Sequence, residues 1–112
     1  MDIQTKQAGE IVVVSVAGSI DALTSPRLAE FLSEQIGAGH TRLVADLAGV
    51  EFMSSAGLRA ILAALKESRQ GGGDLRIAGA LPNVQKVLKM SGFTTILKTY
   101  TSTDDALASF DS

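Results

Sequence analysis

The residues best suited to chemistry in this sequence are two adjacent serines, Ser54 and Ser55, in the segment EFMSSAGL (51–58). The segment LVADLAGV upstream is typical of a buried strand that runs into a turn, and LRAILAALKESR downstream is typical of an amphipathic helix. A serine where a helix begins can cap that helix by accepting a hydrogen bond from a backbone N–H group. It can also accept a phosphoryl group, because a helix N-terminus tolerates a phosphate.

Two small residues, Ala56 and Gly57, follow the serines. Capping does not require Gly57, which costs about 1 kcal/mol of helix propensity relative to alanine. Small side chains would instead allow a partner protein or a nucleotide phosphate to approach a serine hydroxyl closely. The residues alone therefore leave capping and modification as open alternatives.

Other kinds of catalytic or metal site lack the residues they need. The sequence has one histidine, His40, in a glycine-flanked loop, and no cysteine, so neither a Ser-His-Asp triad nor a histidine or thiolate metal site is expected. The run GGGD (71–74) precedes a strand, whereas phosphate-binding loops follow one. Asp46 lies within an apolar strand, and we interpret it as a strand-end residue bonded to nearby backbone. We expect no enzyme activity, no metal and no cofactor.

Composition indicates an ordinary soluble globular protein. The 112 residues are 46% apolar and 20% charged with a net charge of −2, so neither nucleic acid nor anionic membrane is an expected partner. The length suits one domain, residues 1–112. No apolar run approaches the roughly 20 residues of a membrane helix. The first residues lack the pattern of a secretory signal, so a cytoplasmic protein is expected.

The elements that must position the serines alternate between strands and helices. Strands are predicted at 11–16, 43–47 and 75–79, a weaker one at 2–7, and a short one in TTILKTY (94–100). Ser25 is predicted to cap a first helix, with Pro26 at its first position. Further helices are predicted after Ser55, from Pro82, and after Ser102 or Thr103. The fold class is α/β: a small mixed sheet of about four to five strands, with about four helices largely on one side.

Three segments together resemble the STAS domain, the sulfate transporter and anti-sigma-factor antagonist family. They are GSIDALTSPRL, LVADLAGVEFMSSAGLRAIL and VQKVLKMSGF, in the order that the family shows. The resemblance extends from about Ile11 to Phe110 and is closest to the free-standing bacterial anti-sigma-factor antagonists. Such antagonists bind an anti-sigma factor, typically an ATP-dependent serine kinase, and thereby release a sigma factor. The kinase phosphorylates the antagonist and a serine phosphatase resets it.

The resemblance implies specific residues. The phosphate acceptor matches Ser55, with Ser54 as a second candidate, and Asp21 matches a loop position beside it. The implied partner-binding residues are Asp21, Thr24, Ser54, Ser55, Ala56, Gly57 and Arg59. The family commonly has aspartate at the position of Ser54, so a negative charge is missing here. It commonly has serine or threonine at the position of Ala56, so a competing phosphate acceptor is missing as well. An alternative is a STAS docking subunit of another assembly, such as a lipid-transport ATPase complex or a signalling scaffold.

Overall fold

The computed structural model describes residues 1–111 and contains a five-stranded sheet with four α-helices. The sheet order is β1-β2-β3-β4-β5, with β1 antiparallel to β2 and the remaining pairs parallel. The elements are β1 (Asp2–Ala8), β2 (Ile11–Ile20), α1 (Ser25–Gly37), β3 (Arg42–Met53), α2 (Ser55–Gln70), β4 (Asp74–Ala78), α3 (Pro82–Met90), a 3₁₀ turn (Phe93–Thr95), β5 (Thr99–Tyr100) and α4 (Thr103–Ser109). The predicted fold class is confirmed.

The two faces of the sheet carry unequal cores because successive side chains of a strand point to opposite faces. Val12, Val14 and Val16 of β2 pack with the apolar stripes of α1, α2 and α3 in the larger core. Ile11 and Val13 pack on the other face with Ala106 of α4. Within residues 1–111, three helices therefore cover one face and α4 alone covers the other.

The central strands extend beyond their predicted ends. β2 continues past Val16 to Ile20, and β3 continues past Leu47 to Met53, where a turn was expected. Their pairing contains two register shifts, between Ser15 and Ala17 and between Gly18 and Ser19. Such irregularities interrupt the alternation of apolar and polar residues along a strand. The sequence pattern therefore predicts strands that are shorter than those in the structure.

Two predictions about helix and strand ends are wrong. Ser25 does not cap α1: it is the first helical residue and is buried, and Thr24 takes the cap position with no side-chain bond to the helix backbone. The final strand is confined to Thr99–Tyr100, because the chain before it forms the 3₁₀ turn and only two residues pair with β4. The weaker strand predicted at 2–7 is present and forms a hairpin with β2, and Ser102, one of the two predicted start residues, caps α4.

Candidate partner-binding and phosphorylation surface

The two predicted site segments meet where β2 and β3 end side by side. Ile20 pairs with Met53 in the parallel register, and the Ser54 N–H donates to the Ile20 carbonyl at 2.8 Å. The loop that begins at Asp21 and the helix that begins at Ser55 therefore leave the sheet at the same place. The structure brings together residues that lie more than thirty positions apart in the sequence.

Ser54 is the helix cap. Its backbone is extended (φ −87°, ψ 172°), and its Oγ accepts a hydrogen bond from the Gly57 N–H at 3.3 Å. The side chain is half-buried. This hydroxyl is thus already engaged in holding the first turn of α2, as one of the two sequence interpretations predicts.

Ser55 has a different environment although it is the adjacent residue. It is the first residue of α2 and is exposed to solvent. Within residues 1–111, no group forms a hydrogen bond with its Oγ. Of the two serines, Ser55 is the one whose hydroxyl is presented outward at the positive end of the helix dipole.

Gly57 requires a correction to its predicted role. A side chain there was expected to obstruct a partner, but Gly57 is buried inside the protein. A Cβ at this position would lie 2.6 Å from Ile20 Cγ2 and 3.1 Å from the Ile20 carbonyl oxygen. The glycine therefore allows α2 to pack against the end of β2, and because it is buried it offers a partner little surface of its own.

The loop after β2 is organised by Asp21 and Thr24. One carboxylate oxygen of Asp21 accepts hydrogen bonds from the backbone N–H groups of Leu23 (2.9 Å) and Thr24 (3.0 Å). The Thr24 Oγ1 accepts from the Asp21 N–H at 2.9 Å and lies 2.9 Å from the Ser19 carbonyl, to which it can donate. The backbone bonds from Thr24 and then Leu23 are the main reasons that the pKa of Asp21 is lowered from its usual value. Asp21 is thus a fixed negative charge at this surface.

The remaining predicted residues lie beside the serine. Ala56 is half-buried, so it is accessible without projecting far. Arg59 is exposed and lies four residues after Ser55, which places it one turn along the same helix face.

Two exposed apolar residues close in sequence to the site segments had no predicted role. Leu23, in the Asp21 loop, is 90% exposed, and Phe52, two residues before Ser54, is 51% exposed. Both are large side chains that the core does not use. The sequence does contain a signal for both residues. Each is a large apolar residue next to a predicted functional segment, and neither belongs to an apolar stripe of a predicted helix or strand.

Other residues singled out by the sequence have structural roles. Asp46 accepts a hydrogen bond from the Ala48 N–H at 3.0 Å and lies 3.3 Å from Ser15 Oγ, so the predicted backbone bond is present. Its predicted position at a strand end is wrong, because β3 continues from Arg42 to Met53. No three His, Asp or Glu residues within 1–111 are grouped so that they could hold a metal ion. None of the helices in that range is long and apolar enough to cross a bilayer.

Comparison with known proteins decides the family. The model of the STAS domain matches residues 2–106 of this chain. The chain belongs to the STAS domain family. This STAS domain is 32% identical to BtrV of Bordetella bronchiseptica over 100 residues, which is 89% of this chain and 86% of BtrV.

Two further relatives carry a functional name. The anti-sigma F factor antagonist of Paenibacillus polymyxa is 28% identical over 112 residues, covering 99% of this chain and 96% of that protein. The crystal structure of an anti-sigma factor antagonist from Mycobacterium paratuberculosis has a TM-score of 0.91 at 26% identity, covering 99% of this STAS domain and 94% of that chain. The similarity therefore spans nearly the full length of free-standing proteins.

Proposed function

We propose that this STAS domain is an anti-sigma factor antagonist that is switched by phosphorylation of Ser55. In its unmodified form it binds an anti-sigma factor that is also a serine kinase, and so releases a sigma factor. A serine phosphatase restores that form. The names of its relatives support the antagonist role. The observation that carries the choice of residue is the contrast between the engaged Ser54 hydroxyl and the exposed Ser55 hydroxyl.

The surface around Ser55 has the properties that a binding function requires. Exposed Leu23 and Phe52 offer apolar area whose burial favours association, by about 25 cal/mol per Å² before the costs of binding. Asp21 and Arg59 provide charges of opposite sign beside it, which would set the orientation of a partner. This combination favours protein binding over catalysis, which would need an acid–base pair or a bound metal.

A phosphate on Ser55 would disturb binding without disturbing the fold. It adds a charge of about −1.5 to −2 and three acceptor oxygens. At the start of α2, unpaired backbone N–H groups and the helix dipole stabilise that anion in the free protein. In a complex, the same charge must be desolvated close to the Asp21 carboxylate, so the complex weakens.

The test is to incubate the protein with the anti-sigma kinase of its own cell and ATP, and to locate phosphate by site-resolved mass spectrometry. Phosphate is expected on Ser55, in the wild type and in Ser54→Ala, and absent from Ser55→Ala. Ser55→Ala should bind the kinase like the wild type. Ser55→Asp should bind about 100-fold more weakly, a loss of about 3 kcal/mol, with an unchanged circular dichroism spectrum.

Two results would contradict the proposal. One is equal affinity of wild type and Ser55→Asp for the anti-sigma factor. The other is phosphate on Ser54 alone. Protein isolated from growing and stressed cells with no phosphate on Ser55 in either state would favour the docking-subunit alternative.

A further inference from the structure

A second surface lies at the far end of α2, away from Ser55. We call it the α2 groove: Leu62, Leu65, Phe93 and Ile96 form its apolar floor, and Lys66 and Arg69 form its edge. Its volume is about 530 Å³, within the range of ligand-binding clefts. Ser55 and Arg69 are fourteen residues apart on one helix, or about 21 Å at 1.5 Å per residue. The basic edge of the groove at Arg69 is therefore well separated from Ser55, and Leu62, the groove residue nearest to Ser55 along the helix, is about 10 Å from it.

The floor of the α2 groove is incompletely covered by the protein itself. Ile96 is 44% exposed, and Leu62 and Phe93 are only partly buried against the core. Ile96 belongs to the segment between the 3₁₀ turn and β5. Covering these side chains would remove apolar surface from water, which is favourable.

The charge of this part of the chain is opposite to that of the whole. Residues 52–103 contain seven Lys and Arg and only two Asp and Glu, a net charge of +5 in a chain of net charge −2. Of the two acids, Asp74 is buried and shared between Arg69 and Arg76, and Glu67 accepts a hydrogen bond from Ser33 of α1. Lys66 makes no ion pair with any residue in the described range 1–111.

Arg69 is held in position at the edge of the groove. Its Nε donates to Asp74 Oδ1 at 3.0 Å, and a terminal nitrogen donates to the Ile96 carbonyl at 2.7 Å. The side chain is still 43% exposed. The groove thus presents a fixed guanidinium and an unpaired ammonium next to an apolar floor.

We propose that the α2 groove binds an acidic amphipathic helix of a partner protein. Apolar side chains spaced three or four residues apart would occupy the floor, and Asp or Glu residues beside them would face Lys66 and Arg69. An open groove suits a helix, which needs only one face buried, better than a small amphiphile, which needs most of its surface enclosed.

The test uses a phage-displayed library of random peptides of about 16 residues, selected on the intact protein. Selected peptides are expected to be acidic, with apolar residues at helical spacing. Lys66→Glu and Ile96→Ser should each weaken the best synthetic peptide about tenfold or more in fluorescence polarisation. Both residues are exposed, so these variants should fold, and amide NMR shifts should map the peptide to Leu62 and Phe93.

The matched control is Lys6→Glu on β1, which makes the same charge change outside the +5 segment and should alter the affinity less than twofold. Ser55→Asp should leave it unchanged, which separates this proposal from the switch. Several results would overturn the proposal: peptides without acidic residues, equal losses for Lys6→Glu and Lys66→Glu, or binding lost only in Ser55→Asp. The proposal would also be overturned if phosphatidylglycerol vesicles or decanoate bound in the groove and no peptide bound there.

Discussion

Ser54 and Ser55 are adjacent and chemically identical, but they have different roles because the backbone is extended at Ser54 and helical at Ser55. Ser54 is extended, so its hydroxyl can reach the N–H of the residue three positions later. Ser55 is already helical, and its hydroxyl points to solvent. The assignment thus depends on the exact start of α2, a boundary that sequence patterns locate only to within a few residues.

At the same scale, Gly57 shows how a small residue can be misinterpreted. Gly57→Ala should destabilise the protein, because the new methyl group meets the rigid, fully buried Ile20 at 2.6 Å. We expect a cost of about 1–3 kcal/mol from overpacking, reduced by up to about 1 kcal/mol from better helix propensity. Urea denaturation measures the difference.

Gly37→Ala is the matched control. It is also a helical glycine, but a Cβ there meets nothing within 4 Å. We expect no loss, and a gain of up to about 1 kcal/mol from the restricted unfolded chain. Equal stability changes in the two variants would show that contact with Ile20 does not explain Gly57.

The elements at the site are joined by their ends. The Ser54 N–H bonds to the end of β2, and the Ser54 Oγ bonds to the first turn of α2. Asn83 of α3 donates to the Glu51 carbonyl of β3 at 2.5 Å, which brings a further helix start to the same edge. Parallel strands produce this arrangement, since all their following helices begin at one edge of the sheet.

The cap of α2 makes a prediction at the element scale. Ser54→Ala should lower the free energy of unfolding by about 1 kcal/mol, because the Gly57 N–H loses its acceptor. Ser55→Ala, one position along, should change it by less than about 0.5 kcal/mol because that side chain is exposed. Thermal or urea unfolding of both variants measures this. A larger effect for Ser55→Ala would mean that the two roles have been exchanged.

Across the whole molecule, the buried carboxylate of Asp74 connects three regions. It accepts from Arg69 at the end of α2 and from Arg76 in β4, each at 3.0 Å. Arg76 in turn lies 4.0 Å from the ring centre of Phe110, just beyond α4. The Asp74 carboxylate, at the start of β4, therefore links α2 on one face of the sheet to the chain after α4 on the other face.

Asp74→Asn should destabilise the protein by about 2–4 kcal/mol, because Arg76, whose side chain is only 12% exposed, would be left buried without a counter-charge. Glu10→Gln is the control: its partner Arg42 is about half-exposed, so less than about 1 kcal/mol is expected. Equal effects in urea denaturation would show that burial does not strengthen the Asp74 pairs.

The sequence by itself determined the alternation of strands and helices, the mixed sheet and the family. These follow from local information: apolar periodicity, the prolines and glycines at element ends, and a motif that is contiguous in the chain. Leu28 in α1 and Ile61 in α2 lie on apolar stripes with helical spacing, and both are buried, as that spacing predicts.

Only the tertiary structure decided which serine caps α2, why Gly57 is a glycine, and that Leu23, Phe52 and the α2 groove remain uncovered. Each depends on what approaches a residue from a distant part of the chain: Ile20 against Gly57, or Phe93 and Ile96 beside α2. Periodicity reports which face of an element is apolar. It does not report whether another element has covered that face, and the uncovered surfaces are the ones that we propose as binding sites.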